Sequence, residues 1–252
     1  MSSSRIPEAV KQIFTATFTA RDVAEPLASF DSSTAAAEVK ELMDANDFDI
    51  VGVRKDGQVA GFLERAALQD GACGLHLRPL ADAKVLNDTA PLLDVIMALS
   101  RSPFLLVKVL GRVGGIITLA DLQKPPVRMW LFGIVTMVEM RFADLIDRHC
   151  PGETWIQHLS EGRLQKARLL LEERRRRNQK LELLDCLQFA DKVTIIAKNE
   201  DVRKQTVFAT RRQAEDTAKR LEQLRNNLAH SQDILAMDWD TIVEICEFIS
   251  QQ

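Results

Sequence analysis

Residues 30–68, FDSSTAAAEVKELMDANDFDIVGVRKDGQVAGFLERAAL, can be laid over residues 85–122, VLNDTAPLLDVIMALSRSPFLLVKVLGRVGGIITLADL, at a spacing of about 54 residues with one single-residue gap. Each copy opens on a Thr (Thr34, Thr89) suited to cap a helix, followed by apolar residues at helical spacing. These are Val39, Leu42 and Met43 in the first copy and Leu92, Val95, Ile96 and Leu99 in the second. An apolar strand follows (50–53, 105–109), then a Gly-containing turn (Asp56-Gly57, Gly111) and a second strand. A small residue, Gly61 or Gly115, lies in that strand ahead of a helix start. The unit predicted twice over is helix, strand, hairpin turn, strand, helix, which makes this half α+β.

Beyond the repeat, Lys124-Pro125-Pro126 breaks the chain, and the composition turns helical, with Pro151 as its one further proline. The periodicity predicts helices over 127–148, 160–179, 181–198, 206–229 and 240–250, with Asp238 at or just before the last N-cap. The expected organisation is therefore a repeat domain at 1–126 and an all-α antiparallel helical bundle at 127–252.

The 252 residues are 46% hydrophobic and 27% charged, which excludes a disordered or collagen-like chain. A formal net charge of -3 leaves no global positive field, so any polyanion site is local. Such an excess lies between Glu161 and Arg225, where 17 Lys/Arg face 11 Asp/Glu, densest at Arg174 to Arg177; a basic face of this kind can hold a phosphate backbone, but a solvated face paired with Glu172 and Glu173 is the favoured reading. Cys73, Cys150, Cys186 and Cys246 are far apart with no CxxC pair, which argues for buried thiols and a reducing cytoplasm. The opening MSSSRIPEAVKQIF is no secretory signal, and the most apolar stretch, 129–138, is about half the ~20 residues that cross a bilayer. A cytoplasmic protein with no membrane partner is expected. His149, Cys150 and His158 lack a fourth ligand at a recognisable spacing, so no metal is expected.

The repeat resembles the cystathionine-beta-synthase (CBS) domain, which occurs in tandem pairs whose small sheets pack together and bind adenosine-containing ligands in the clefts between them. The likeness covers roughly 19–125, and its most specific element is Gly115-Ile-Ile-Thr118-Leu-Ala-Asp121-Leu122. The resemblance implies a regulatory ligand among AMP, ADP, ATP and S-adenosylmethionine. Thr118 would cap the helix and turn its hydroxyl and the first-turn amides to a phosphate, while Asp121 would accept from both ribose hydroxyls. The alternative is a Thr118 that only caps and an Asp121 that only complements the helix dipole. The first copy has Glu64 in place of Thr and Ala67 in place of Asp, so its ribose site is expected to be dead, with Arg65 either neutralising a phosphate or solvated. By resemblance, the adenine would lie against Val23, Ala28, Phe48 and Ile50, an apolar slot that would serve equally as plain core.

In the helical half, Leu224-Arg225-Asn226-Asn227-Leu228-Ala229-His230 resembles the Arg-x4-6-His motif of the HEPN (higher eukaryotes and prokaryotes nucleotide-binding) superfamily. That resemblance implies metal-independent RNA cleavage by self-attack of a ribose 2'-hydroxyl. His230 would act as general base or acid, Arg225 would stabilise the phosphorane charge, and Asn226 would orient the ring. It also implies a homodimer, which the apolar residues of 129–135 suit. The alternative has Asn226 and His230 satisfying helix carbonyls. Asp185 and Asp191 are candidates for a supporting acid. The sequence favours an endoribonuclease governed by an adenine nucleotide; the alternative is a non-catalytic, nucleotide-responsive regulator or dimerisation protein. A metabolic enzyme is disfavoured by the lack of a Gly-rich phosphate loop, metal cluster or nucleophile constellation.

Overall fold

The computed structural model describes residues 16–206, 208–230 and 232–250, so the opening segment lies outside the described residues. The chain divides into two compact units, one running to Val127 and one beginning at Arg128, in a mixed α/β structure.

The first unit contains β1 (Glu25–Pro26), β2 (Ser29–Asp31), α1 (Ala36–Asn46), β3 (Ile50–Lys55), β4 (Gln58–Glu64), β5 (Arg78–Pro79), β6 (Val85–Asn87), α2 (Leu92–Leu99), β7 (Phe104–Val109) and β8 (Arg112–Thr118). These strands form two four-stranded sheets, ordered β2-β3-β4-β5 and β1-β8-β7-β6. The repeat persists in detail. The β3–β4 register shifts between Val53 and Arg54, and the β7–β8 register shifts at the equivalent Val107 and Lys108. Both hairpins turn through two left-handed residues, Asp56-Gly57 (φ 53 and 72) and Leu110-Gly111 (φ 51 and 80), the conformation whose twist suits a two-residue hairpin. Leu110 adopts it against its own Cβ, with a side chain 94% exposed.

Each sheet is completed by the other repeat. β1 precedes the first repeat yet pairs with β8, Pro26 opposite Gly115; β5 precedes the second yet pairs with β4, Pro79 opposite Gly61. The approach is closest at Gly61, where a Cβ would lie 2.3 Å from the Arg78 carbonyl oxygen, so only glycine fits. These leaders also explain a failed expectation about caps. Thr34 and Thr89 do not cap α1 and α2; the N-caps are Ala35 and Pro91, without side-chain bonds. The first helical amides are instead satisfied by backbone from the other repeat's leader, Ala36 N donating to Gly71 O and Leu92 N to Phe18 O, each at 2.8 Å. Leu27, Phe62, Phe104, Leu106 and Val113 form a core cluster drawn from both sheets.

From Pro125 on, every described element is helical: α3 (Pro125–His149), α4 (Glu161–Arg176), α5 (Phe189–Lys198), α6 (Glu200–Arg203), α7 (Arg211–Ala229) and α8 (Leu235–Ser250), with 3-10 turns between. Pro125 and Pro126 start α3 rather than break the chain, since first-turn amides have no helical acceptor and their loss costs little. The helix expected over 181–198 is split. Asp185 accepts from Glu182 N at 2.9 Å and Asp191 from Gln188 N at 3.2 Å, so two starts are capped in succession, a 3-10 turn at Leu183–Cys186 and then α5. The last helix begins five residues early because Asp233, not Asp238, caps it, accepting from Leu235 N at 2.8 Å and Ala236 N at 3.1 Å.

α5 packs against α7, and Phe142 stacks on Phe189 with ring centroids 5.9 Å apart. Asp144, 1% exposed at its side chain, is held by Arg141 and Arg148. The four cysteines are free and buried; burial pushes the Cys246 thiol up to about 12 and raises the other three. Among the described residues, no helix is long and apolar enough to cross a membrane.

Candidate functional site

The ends of the two hairpins meet at a cavity of about 750 Å³, within the ordinary range for a small-molecule site. Ile50 pairs with Glu64 at the end of one hairpin and Phe104 with Thr118 at the end of the other, and all four line it. Ala28, Phe48 and Asp121 line the same space, so five of the six residues expected for an adenosine ligand share one cavity. Phe48 is 41% exposed. Val23 is the exception. It is buried in the core and outside the lining, and it contributes only its carbonyl, which accepts from Lys124 Nζ at 2.6 Å.

Asp121 and Thr118 are coupled. Asp121 Oδ2 accepts from Thr118 N at 2.7 Å and from Thr118 Oγ1 at 3.0 Å, while Oδ1 pairs with Lys124 Nζ at 2.8 Å. Thr19 and Asp22 make the same reciprocal pair ahead of β1. Burial works against the charge of Lys124, but its hydrogen bonds to Asp121 and Glu25 outweigh this and raise its pKa. The turn that Thr118 caps, Leu119–Gln123, is a five-residue 3-10 turn, too short for the aligned dipoles of a helix N-terminus. The first-turn amides expected to face a phosphate thus belong to a 3-10 turn that leads into α3 at Pro125, and the Thr118 hydroxyl donates to Asp121.

The first repeat likewise ends in a three-residue 3-10 turn, Arg65–Ala67, instead of a helix. Arg65, its side chain 27% exposed, is engaged with carboxylates. It contacts Asp44 at 3.6 Å, Asp47 at 3.2 Å and Asp49 at 2.5 Å, and its pKa is raised by the hydrogen bond to Asp49 first of all. Glu64 pairs with Arg78. Sequence spacing missed this fan, because Asp44, Asp47 and Asp49 come from the end of α1 and the loop after it.

In the helical unit, α7 ends at Ala229 and His230 is its C-cap. Asn226 and His230 are exposed and Arg225 half-buried; the Arg225 and His230 side chains have no hydrogen-bonding or ionic partner among the described residues. Arg128 donates to two of the last carbonyls of α7, Asn227 O at 2.8 Å and Leu228 O at 3.2 Å, and to Gln232 O beyond the helix at 2.9 Å. The neighbouring Asn227 donates to the buried Asp238 at 2.8 Å. Asp185 and Asp191 are used locally, as caps and, for Asp191, as the partner of Arg163. A cavity of about 290 Å³ lies elsewhere in this unit, over Phe142, Phe208 and Leu221. In the basic run, Arg177 pairs with Glu173 and Arg174 donates to Gln179. Among the described residues, no three His, Cys, Asp or Glu side chains are grouped as a metal site.

No protein family and no curated protein matches the sequence. Among solved structures, the chain is similar to an uncharacterized conserved protein from Pyrococcus horikoshii, at 25% identity over 42% of this chain and 90% of that one, with a TM-score of 0.38. It is also similar to CBSX2 in complex with AMP, at 20% identity over 42% and 93% with a TM-score of 0.37. A third is the CBS domain of a bacterial CNNM/CorC family Mg2+ transporter in complex with ATP, at 12% identity over 48% and 93% with a TM-score of 0.38.

Proposed function

We propose that this is a regulatory protein in which a CBS-type pair at 1–126 binds an adenosine-containing ligand and a helical part at 127–252 carries the response. The observation behind this reading is the cavity of about 750 Å³ in which Thr118 and Asp121 of one repeat face Phe48 and Ile50 of the other. A ligand there touches both sheets, so its binding favours whichever arrangement of the two repeats fits it best. Titration calorimetry with adenosine, AMP, ATP and S-adenosylmethionine tests the reading. One ligand per chain is expected, weakened at least tenfold by Asp121→Ala, and silence from all four rejects it.

The HEPN-type endoribonuclease is the second reading, favoured by the free side chains of Arg225 and His230 at the end of α7. The expected homodimer belongs with it, since Met129 and Phe132 stand exposed on α3. In this reading single-stranded RNA is cut in excess chelator to products ending in a cyclic phosphate, and His230→Ala abolishes the cutting at unchanged circular dichroism. RNA left whole, or cut equally by His230→Ala, leaves the regulator alone standing.

A further inference from the structure

The lining of the 750 Å³ cavity is lopsided in charge. Glu25, Asp47, Asp49, Glu64 and Asp121 face Arg65 as the lone cation among the lining residues. Two more cations stand just behind, Lys124 on Glu25 and Asp121, and Arg78 on Glu64 and Asp82. All three are already committed to carboxylates, and Arg65 is shared among three of them, counting Asp44. With these outer partners counted, carboxylates still exceed cations by seven to three.

A phosphate placed here meets no uncommitted cation. The Thr118 hydroxyl is likewise engaged, donating to Asp121 at 3.0 Å, so a phosphate would have to draw it from that bond. Glu64 sharpens the effect, because the repeat sets it at the position of Thr118 and so puts a carboxylate where the other half-site has a hydroxyl. Unlike charges attract across such a pocket and like charges repel, with solvent and salt screening the exposed Glu25, Asp47 and Asp49.

We infer that this cavity takes an adenosine compound carrying a positive charge, a sulfonium such as S-adenosylmethionine, and turns away AMP, ADP and ATP. The inference rests on the proposed reading of the cavity as an adenosine site and decides the charge class of what enters. Asp121 is placed for the ribose and Phe48 for the base, and the surplus of carboxylate is left for the cationic end.

The test is titration of the full chain with S-adenosylmethionine, S-adenosylhomocysteine, AMP and ATP, the last with and without Mg2+. S-adenosylhomocysteine is the control of nearly equal size that lacks the sulfonium charge. S-adenosylmethionine is expected to bind at least tenfold more tightly than any of the others, with a preference that shrinks as salt rises. The double variant Asp49→Asn, Glu64→Gln is expected to narrow the gap from both sides, weakening S-adenosylmethionine and strengthening AMP. If AMP or ATP, with or without Mg2+, binds as tightly as S-adenosylmethionine, the charge inference falls and the adenosine site stands. A gap unmoved by the double variant also overturns it. If nothing binds, the site and the inference fall together.

Discussion

Phe62→Ala is expected to destabilise the first unit by about 3–5 kcal/mol, the usual cost of emptying a buried phenylalanine site. Phe62 is 1% exposed and meets Phe104 edge-on at 5.3 Å, while the Arg78 guanidinium lies 5.2 Å from its ring centroid on Phe62. Its neighbours come from both sheets, so the void cannot be closed by one sheet settling alone. Urea unfolding followed by far-ultraviolet circular dichroism measures the loss. Phe62→Leu keeps most of the volume and is expected to lose less than half as much. An alanine variant within about 1 kcal/mol of the parent would show that the two sheets do not share this core.

The second large effect is expected from removing both partners of Asp144. Its carboxylate is held by Arg148 at both oxygens, Nε to Oδ1 at 3.2 Å, and by Arg141 Nη1 at 3.4 Å. The arginine side chains are more than a third exposed, whereas the acid is 1% exposed, so the acid bears the desolvation. Arg141→Ala with Arg148→Ala strands a buried charge and is expected to destabilise the protein by about 3–5 kcal/mol. Adding Asp144→Leu to that pair removes the stranded charge and is expected to recover more than half of the loss. If the third change recovers nothing, the arginines act through their alkyl packing and not through their charge.

The repeat and its hairpins were legible in the sequence because each rests on local periodicity or on the offset between copies, whereas the meeting of Thr118 and Asp121 with Phe48 and Ile50 was implied by the resemblance to a CBS pair. What was not legible depends on contacts between segments far apart in the chain. Thr34 and Thr89 sit where a cap belongs, and nothing local says that the amides of Ala36 and Leu92 will be taken by the leader of the other repeat. Arg65 looked solvated because Asp44, Asp47 and Asp49 converge on it only once α1 ends and the chain turns. The last helix was begun too late for a simpler reason. Asp233 and Asp238 both precede helical sequence, and the choice between them depends on the burial of Asp238 against Asn227. Val23 carries no signal that separates a slot from a core.

The crossed leaders also set an order of events at the ribosome. The sheet β2-β3-β4-β5 has all its strands once Pro79 has emerged, but β1 must wait for β8, since Glu25 is opposite Ile116, about 90 residues later. At about 5–20 residues per second, that wait is about 5–18 s. Throughout it the segment from Glu25 to Leu27 is an unclaimed strand, tethered for the stretch after Pro79 to a sheet with all its strands, and the second sheet closes only when the first of its described strands is captured by the last. The nascent chain thus passes through a half-finished state, and the span that carries Thr118 and Asp121 is the one that ends it.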